Sequence, residues 1–204
     1  MIHAAMVASA VSRGCVVVAN AQQPSCNATS GGGGPQVILQ ARTAPTSLAE
    51  IPASVRAEHE ELWAELNHAT VCPGRVGVAA RLVAERLRPH FAREEQIALP
   101  PLGLLRPLAR DSFAREMSAA VSMADSLAAE LPRMLREHRE IRWAVDRMAE
   151  YARSDMRPEQ LRLAERLRLH AQMEEEVLYP TAILIGKYVA WWLAIESHAA
   201  TARP

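Results

Sequence analysis

Two stretches of this chain carry the same ten-step pattern: His90-Phe-Ala-Arg-Glu94-Glu95 closing on Pro100, and His170-Ala-Gln-Met-Glu174-Glu175 closing on Pro180. Each has a Glu-His dipeptide upstream, Glu58-His59 and Glu137-His138, so a two-helix unit recurs with a period of 79 to 80 residues. On an α-helix each residue turns by about 100°, so residues four apart share a face and residues five apart diverge. His90 and Glu94 therefore point one way, as do His170 and Glu174, while Glu95 and Glu175 are expected to face elsewhere. An imidazole and a carboxylate one turn apart chelate a borderline cation such as Fe²⁺, Mn²⁺ or Zn²⁺.

The apolar register carries the argument further. Four stripes advance in steps of three and four: Ile51, Val55, His59, Leu62, Leu66; Val83, Leu87, His90, Glu94, Ile97; Leu131, Leu135, His138, Ile141, Val145, Met148; and Leu163, Leu167, His170, Glu174, Val177. Polar groups occupy core slots in each stripe, so four histidines and two carboxylates point inward. A buried carboxylate without a partner costs several kcal/mol, and a bound cation would compensate for two of them beside four imidazoles. Six ligands exceed one tetrahedral zinc and suit two ions bridged by the carboxylates, a dinuclear centre.

The stripes divide into helices at the breakers. Helix A is expected over about 47–69, stopping at Cys72-Pro73-Gly74, and helix B over about 76–98, ended by Pro100-Pro101. A connecting stripe of Phe113, Met117, Ala120, Ala124 and Leu127 leads through Pro132, a kink or a new start, into helix C near Tyr151. Helix D opens near Pro158, which suits a first helical turn, and ends at Pro180. The expected fold is all-α: an antiparallel up-down four-helix bundle with an internal two-helix repeat, a disordered N-terminal leader and a short C-terminal helix. The boundaries are 1–46 for the leader, 47–198 for the bundle and 199–204 for a tail. Ala182 to Ile195 spans fewer than fifteen residues, too short to cross a bilayer. Within it Tyr188, Trp191, Trp192 and Ile195 read as a helix face laid against the bundle or as an oligomer contact.

Lys plus Arg and Asp plus Glu both number 23, giving a formal net charge of zero. No basic excess points to nucleic acid or an anionic membrane. Cys15, Cys26 and Cys72 fit no Cys-x2-Cys pattern, and their odd number suits a reducing, cytoplasmic compartment rather than a disulfide framework. A signal peptide is the alternative reading of the leader, with Ala19-Asn20-Ala21 as a small-residue cleavage site.

With its paired His-x3-Glu-Glu segments, each closing on a proline, and its two Glu-His dipeptides, the chain resembles the hemerythrin-like, HHE cation-binding family over about 48–195. That resemblance implies an up-down bundle around two non-haem iron ions, oxo- or hydroxo-bridged. His59, His90, His138 and His170 would be the nitrogen ligands, and Glu94 and Glu174 the bridging carboxylates. The oxygen-carrying members use five histidines and a fourth-helix aspartate. Here Arg142 stands four after His138 and Trp63 four after His59, and the fourth helix carries Glu174, which matches the HHE branch. Open positions on such ions would take dioxygen, peroxide or nitric oxide.

Arg142 reads either as a group near the site or as a solvated side chain. Glu58 and Glu137 read as acceptors for imidazole N–H groups or as surface acids. His68, nine residues after His59, faces nearly opposite it. Three functions stand open: a di-iron protein reactive toward small oxidants or gases, an iron or redox sensor without turnover, and a metal-free structural bundle. Neither the oligomeric state nor the physiological ligand is fixed by the sequence.

Overall fold

The computed structural model describes residues 49–201. Among them there is no strand; the helices are α1 (Ala53–Thr70), α2 (Arg75–Arg93), α3 (Leu105–Leu108), α4 (Ser118–Ser154), α5 (Pro158–Met173) and α6 (Tyr179–Thr201). The leader expected over 1–46, with Cys15 and Cys26, lies outside the described residues. Helix α1 packs on α2, α2 on α4, α4 on α5 and α5 back on α1, which closes a ring of four helices; α6 lies along α4.

Two apolar clusters form the core, one inside this ring and one where α6 and the segment after α2 pack on the first half of α4. One holds Leu62, Leu66, Val83, Leu87, Ile141, Val145, Met148, Leu163 and Leu167. The other holds Leu99, Leu102, Leu104, Met117, Leu127, Met134, Tyr179, Ile185 and Val189. Each fully buried leucine contributes about 1.5–3 kcal/mol relative to an exposed one. Six of the seven buried polar residues, all but Gln160, fall between the two clusters. Along α2 and the turn that follows it, Leu87 belongs to the first, His90 and Glu94 come next, and Leu99 belongs to the second; on α4 the order is reversed, with Met134, His138 and Ile141.

Three expectations about the helices are corrected. Pro132 does not divide α4, which runs unbroken from Ser118 to Ser154, and Pro89 lies inside α2. Both prolines are exposed, so the carbonyls they leave unbonded face water. Pro180 does not end helix D either. A π turn at Glu174–Leu178 leads directly from α5 into α6, so there is no separate short C-terminal helix. The hydrogen bonds of a π turn skip one residue more than those of an α-helix, which accommodates a proline just after it. The same wide turn occurs at Glu94–Ala98, before Pro100.

These π turns also shift the apolar register by one residue. Val177, expected inward, is 47% exposed, and Tyr179 takes the core position at 0%. Ile97 is only half-buried while Ala98 and Leu99 are buried. On α6 the buried face is Tyr179, Ala182, Ile185 and Val189, whereas Tyr188, Trp191 and Ile195 are exposed, so the aromatic stripe is not laid against the bundle. Trp192 is half-buried and stacks on Phe113, ring centroids 4.9 Å apart. Gly186 sits where any Cβ would meet the Ala124 Cβ at 2.2 Å, so α6 approaches α4 closely there because that residue has no side chain. The joined helix Pro158–Ala199 is long and apolar enough to cross a membrane by length and composition alone. The sequence reading missed this by treating its two halves separately.

Candidate metal centre

The structure brings all six predicted residues together in the seam between the two clusters. His59 comes from α1, His90 from α2, His138 from α4 and His170 from α5; Glu94 and Glu174 each open a π turn. None of the six is more than 4% exposed. Their donor atoms form two overlapping groups that could each hold a metal ion: His90, Glu94, His138 and Glu174, and His59, His170 and Glu174.

Glu174 is common to both groups and spans them. Its Oε1 lies 3.0 Å from His170 Nε2 and 3.5 Å from His59 Nε2, and its Oε2 lies 3.3 Å from His138 Nε2. Glu94 is similarly divided: Oε1 is 3.2 Å from His90 Nε2 and 3.9 Å from His138 Nε2, while Oε2 is 4.0 Å from His59 Nε2. Close as these atoms are, His59 Nε2, His90 Nε2, His170 Nε2, Glu94 Oε2 and both Glu174 oxygens have no hydrogen-bond partner in the protein. Buried polar atoms are paired in the large majority of cases. Imidazole nitrogens and carboxylate oxygens converging without hydrogen-bond geometry are the donor set that a borderline cation requires, so the residues present fit a bound metal.

A layer of carboxylates stands behind the imidazoles. His90 Nδ1 faces Glu137 Oε2 at 3.0 Å and His138 Nδ1 faces Glu175 Oε1 at 2.8 Å. His170 Nδ1 lies 3.3 Å from Glu58 Oε1, and His59 Nδ1 lies 3.5 Å from Glu95 Oε1. Glu58 and Glu137 thus take the role of imidazole partners, each toward a histidine on another helix. Glu95 and Glu175 do turn away from the histidine of their own helix, as expected, and each reaches one on a neighbour. The hydrogen-bonded partners of His90 and His138 fix those rings' tautomer and orientation, leaving Nε2 for a metal, whereas His59 Nδ1 has no hydrogen-bond partner in the protein. Arg142 Nη1 donates to Glu175 Oε1 at 2.8 Å, so it supports this layer and does not enter the centre.

One residue at the centre was missed altogether. Tyr179 is fully buried, its hydroxyl donates to Glu94 Oε1, and that hydroxyl lies 3.3 Å from His138 Nε2. The helical period gave no reason to turn it inward, because the π turn that does so is not visible in a pattern of threes and fours. Phe91 also went unnoticed; it stacks on His59 with centroids 4.0 Å apart and meets His170 edge-on at 5.6 Å. His68 is exposed, as expected.

Without a metal the cluster carries strong opposing fields. Burial works against protonation of His90, but the Glu94 carboxylate, with Glu137 and Glu174 beyond it, outweighs burial and raises its pKa to about 9. His170 is raised to about 9 in the same way, with Glu174 as its main partner. Burial and then the charge of Glu174 raise Glu94. Burial also opposes ionisation of Glu174, yet contacts with His138, His170 and His59 hold it well below the usual carboxylate range. Burial raises the Tyr179 phenol, as do Glu94 and Glu174. The two histidines therefore stabilise the metal-free fold below their ordinary pKa of 6.5, and that contribution is lost as pH rises through about 9. Raised Glu94 acts in the same direction. Thermal denaturation of the chelator-treated protein is expected to give a lower Tm at pH 9 than at pH 6.5; an equal or higher Tm would contradict this account.

The largest surface cleft described, about 510 Å³ and lined by residues including Ala64, His68, Leu163 and Arg166, touches none of the six residues. A smaller one of about 220 Å³ does reach the cluster: His59 lines it together with Trp63, Arg88, Phe91 and Ala92.

No curated protein and no solved structure matches the chain. Residues 50–182 match the family described as the hemerythrin HHE cation binding domain, a stretch that takes in all six converging side chains, both π turns and the four carboxylates behind the imidazoles. The match spans more than half of the sequence, and the geometry inside it is that of a cation site, so the chain belongs to the hemerythrin HHE cation-binding domain family.

Proposed function

We propose that this is a non-haem di-iron protein that binds or reacts with dioxygen, peroxide or nitric oxide. The observation that carries the reading is the division of Glu174, whose two oxygens serve different imidazole pairs, with Glu94 divided in the same sense. A single ion would use one group; two groups that share Glu174, with the second oxygen of Glu94 turned toward His59 at 4.0 Å, suit a bridged pair. The reading includes the antiparallel arrangement of two repeated hairpins, because repeat-related residues then supply equivalent donors, and a cytoplasmic setting.

Within this reading His59 and His170 would hold one ion and His90 and His138 the other, with Glu174 available to both and Glu94 reaching the first only at the longer 4.0 Å approach to His59. When bound, the ions supply open coordination positions and electrons for a small ligand. The protein's part is orientation and exclusion of water. Glu137 and Glu175 hold the Nδ1 side of His90 and His138, Glu58 and Glu95 stand near that of His170 and His59, and Tyr179 keeps a proton on its oxygen beside Glu94.

Elemental analysis of the purified full chain together with its optical spectrum tests the assignment. Two irons per chain with the absorption of a bridged ferric pair is the expected result; zinc, or no metal, would sink it. Exposure of the loaded protein to peroxide, dioxygen and nitric oxide in turn then separates a catalyst, which consumes its ligand, from a sensor, which only changes its spectrum.

A further inference from the structure

The two halves of the cluster are built from matching residue types, yet three independent features distinguish them. The first is Tyr179. Its hydroxyl faces Glu94 Oε1 and His138 Nε2, and its ring stacks on His138 at 5.7 Å. Eighty residues earlier the sequence has Leu99, which offers no polar atom to the opposite half. The His90–His138 half therefore has four converging donors plus an adjacent hydroxyl, and the His59–His170 half has three.

The second feature is the support behind the rings. Glu137 and Glu175, which back His90 and His138, are only 25% and 24% exposed, and arginines clamp both. Arg93 and Arg133 reach Glu137 Oε1 at 3.3 and 2.9 Å, and Arg142 reaches Glu175 Oε1 at 2.8 Å. Glu58 and Glu95, which back His170 and His59, are 48% and 49% exposed and stand farther from their rings. Among the described residues no arginine lies within ion-pair distance of either. The third feature is access: the cleft between Trp63 and Phe91 opens onto His59.

Donor number, rigidity of the supporting acids and solvent access all differ in the same sense. We infer that the two ion positions are unequal: the His90–His138 position retains its ion, and the His59–His170 position exchanges its ion with solvent through the cleft beside Trp63 and Phe91. The inference rests on the two-ion reading. It makes the protein's response depend on the labile position, which empties first when iron is scarce while the fold keeps its other ion. Tyr179 is a positioning residue here, acting through Glu94 and His138.

The test is metal release from the full chain loaded anaerobically with ferrous ion and challenged with excess chelator. Two phases of one equivalent each are expected, with rates at least about tenfold apart. Loss of an outer partner to a ligating histidine typically weakens metal binding about 10–100-fold. Accordingly, Glu58→Gln is expected to speed only the fast phase, and Tyr179→Phe and Glu175→Gln only the slow one. The exposed Glu58 position and the two conservative replacements keep the fold available for measurement. Release of both ions in one phase overturns the inference while leaving the two-ion reading intact, as does a Tyr179→Phe chain whose slow phase is unchanged. A parent chain that loads fewer than two ions overturns the two-ion reading itself, and the inference with it.

Discussion

A Glu174→Ala chain is expected to purify with at most one ion, and its affinity for the remaining one is expected to fall by more than the ~10–100-fold typical of losing an outer hydrogen-bonding partner. Both imidazole pairs lose a donor at once, because the two oxygens of this carboxylate lie 3.0 Å from His170 Nε2 and 3.3 Å from His138 Nε2. Glu174→Gln separates charge from shape: it retains one oxygen and nearly the same volume, so its metal content should lie between that of the parent and that of the alanine variant. Elemental analysis of the three proteins, purified side by side, provides the check. Two ions retained in Glu174→Ala would show that the carboxylate does not bridge.

Removal of metal is expected to lower the melting temperature substantially. An ion held at about a thousandfold above its Kd stabilises the fold by about 4 kcal/mol, and a chain of this size shifts its Tm by about 2–4 °C per kcal/mol. Stripping even one such ion therefore lowers Tm by roughly 10 °C, and removing both leaves the oxygens of Glu174 and the Nε2 atoms of His59, His90 and His170 buried without hydrogen-bond partners. Differential scanning calorimetry with and without excess chelator measures the effect. The metal-free structural bundle makes the opposite forecast: no change with chelator, and unchanged or improved stability when His90 and His170 are both replaced by leucine.

The residues that converge on the centre were legible because burial and chemistry coincided. His59, His90, Glu94, His138, His170 and Glu174 each interrupt an apolar stripe at a core position, and polar groups in such positions are expensive unless something binds them. The helical character of each segment was legible for the same reason. What escaped was everything that depends on departure from the regular helix. Tyr179, the outward turn of Val177 and the joining of α5 to α6 past Pro180 all follow from the π turn at Glu174–Leu178, which no spacing of threes and fours reveals. The roles of Glu95 and Glu175 escaped for a related reason. Periodicity states which way a side chain points from its own helix, whereas these two act on rings of neighbouring helices, a matter of how helices are arranged about one another. Proline also misled at Pro132, which, like Pro89, sits on an exposed face where an unbonded carbonyl is tolerated inside a continuous helix.

The paired π turns make chain length at these two points as restrictive as residue identity. Each wide turn carries one residue more than a regular helix would, and each begins on one of the two buried glutamates. Side chains within a turn that face water, such as Gln96 and Glu176, are open to substitution. Excising either residue is another matter, since the helix would close to ordinary pitch and everything downstream would rotate by about 100° relative to the glutamate. In the second turn that rotation would swing the phenol out of the seam and bring an aliphatic neighbour toward the histidine cluster. Indels here would thus be more damaging than replacements, the reverse of what is usual for solvent-facing positions.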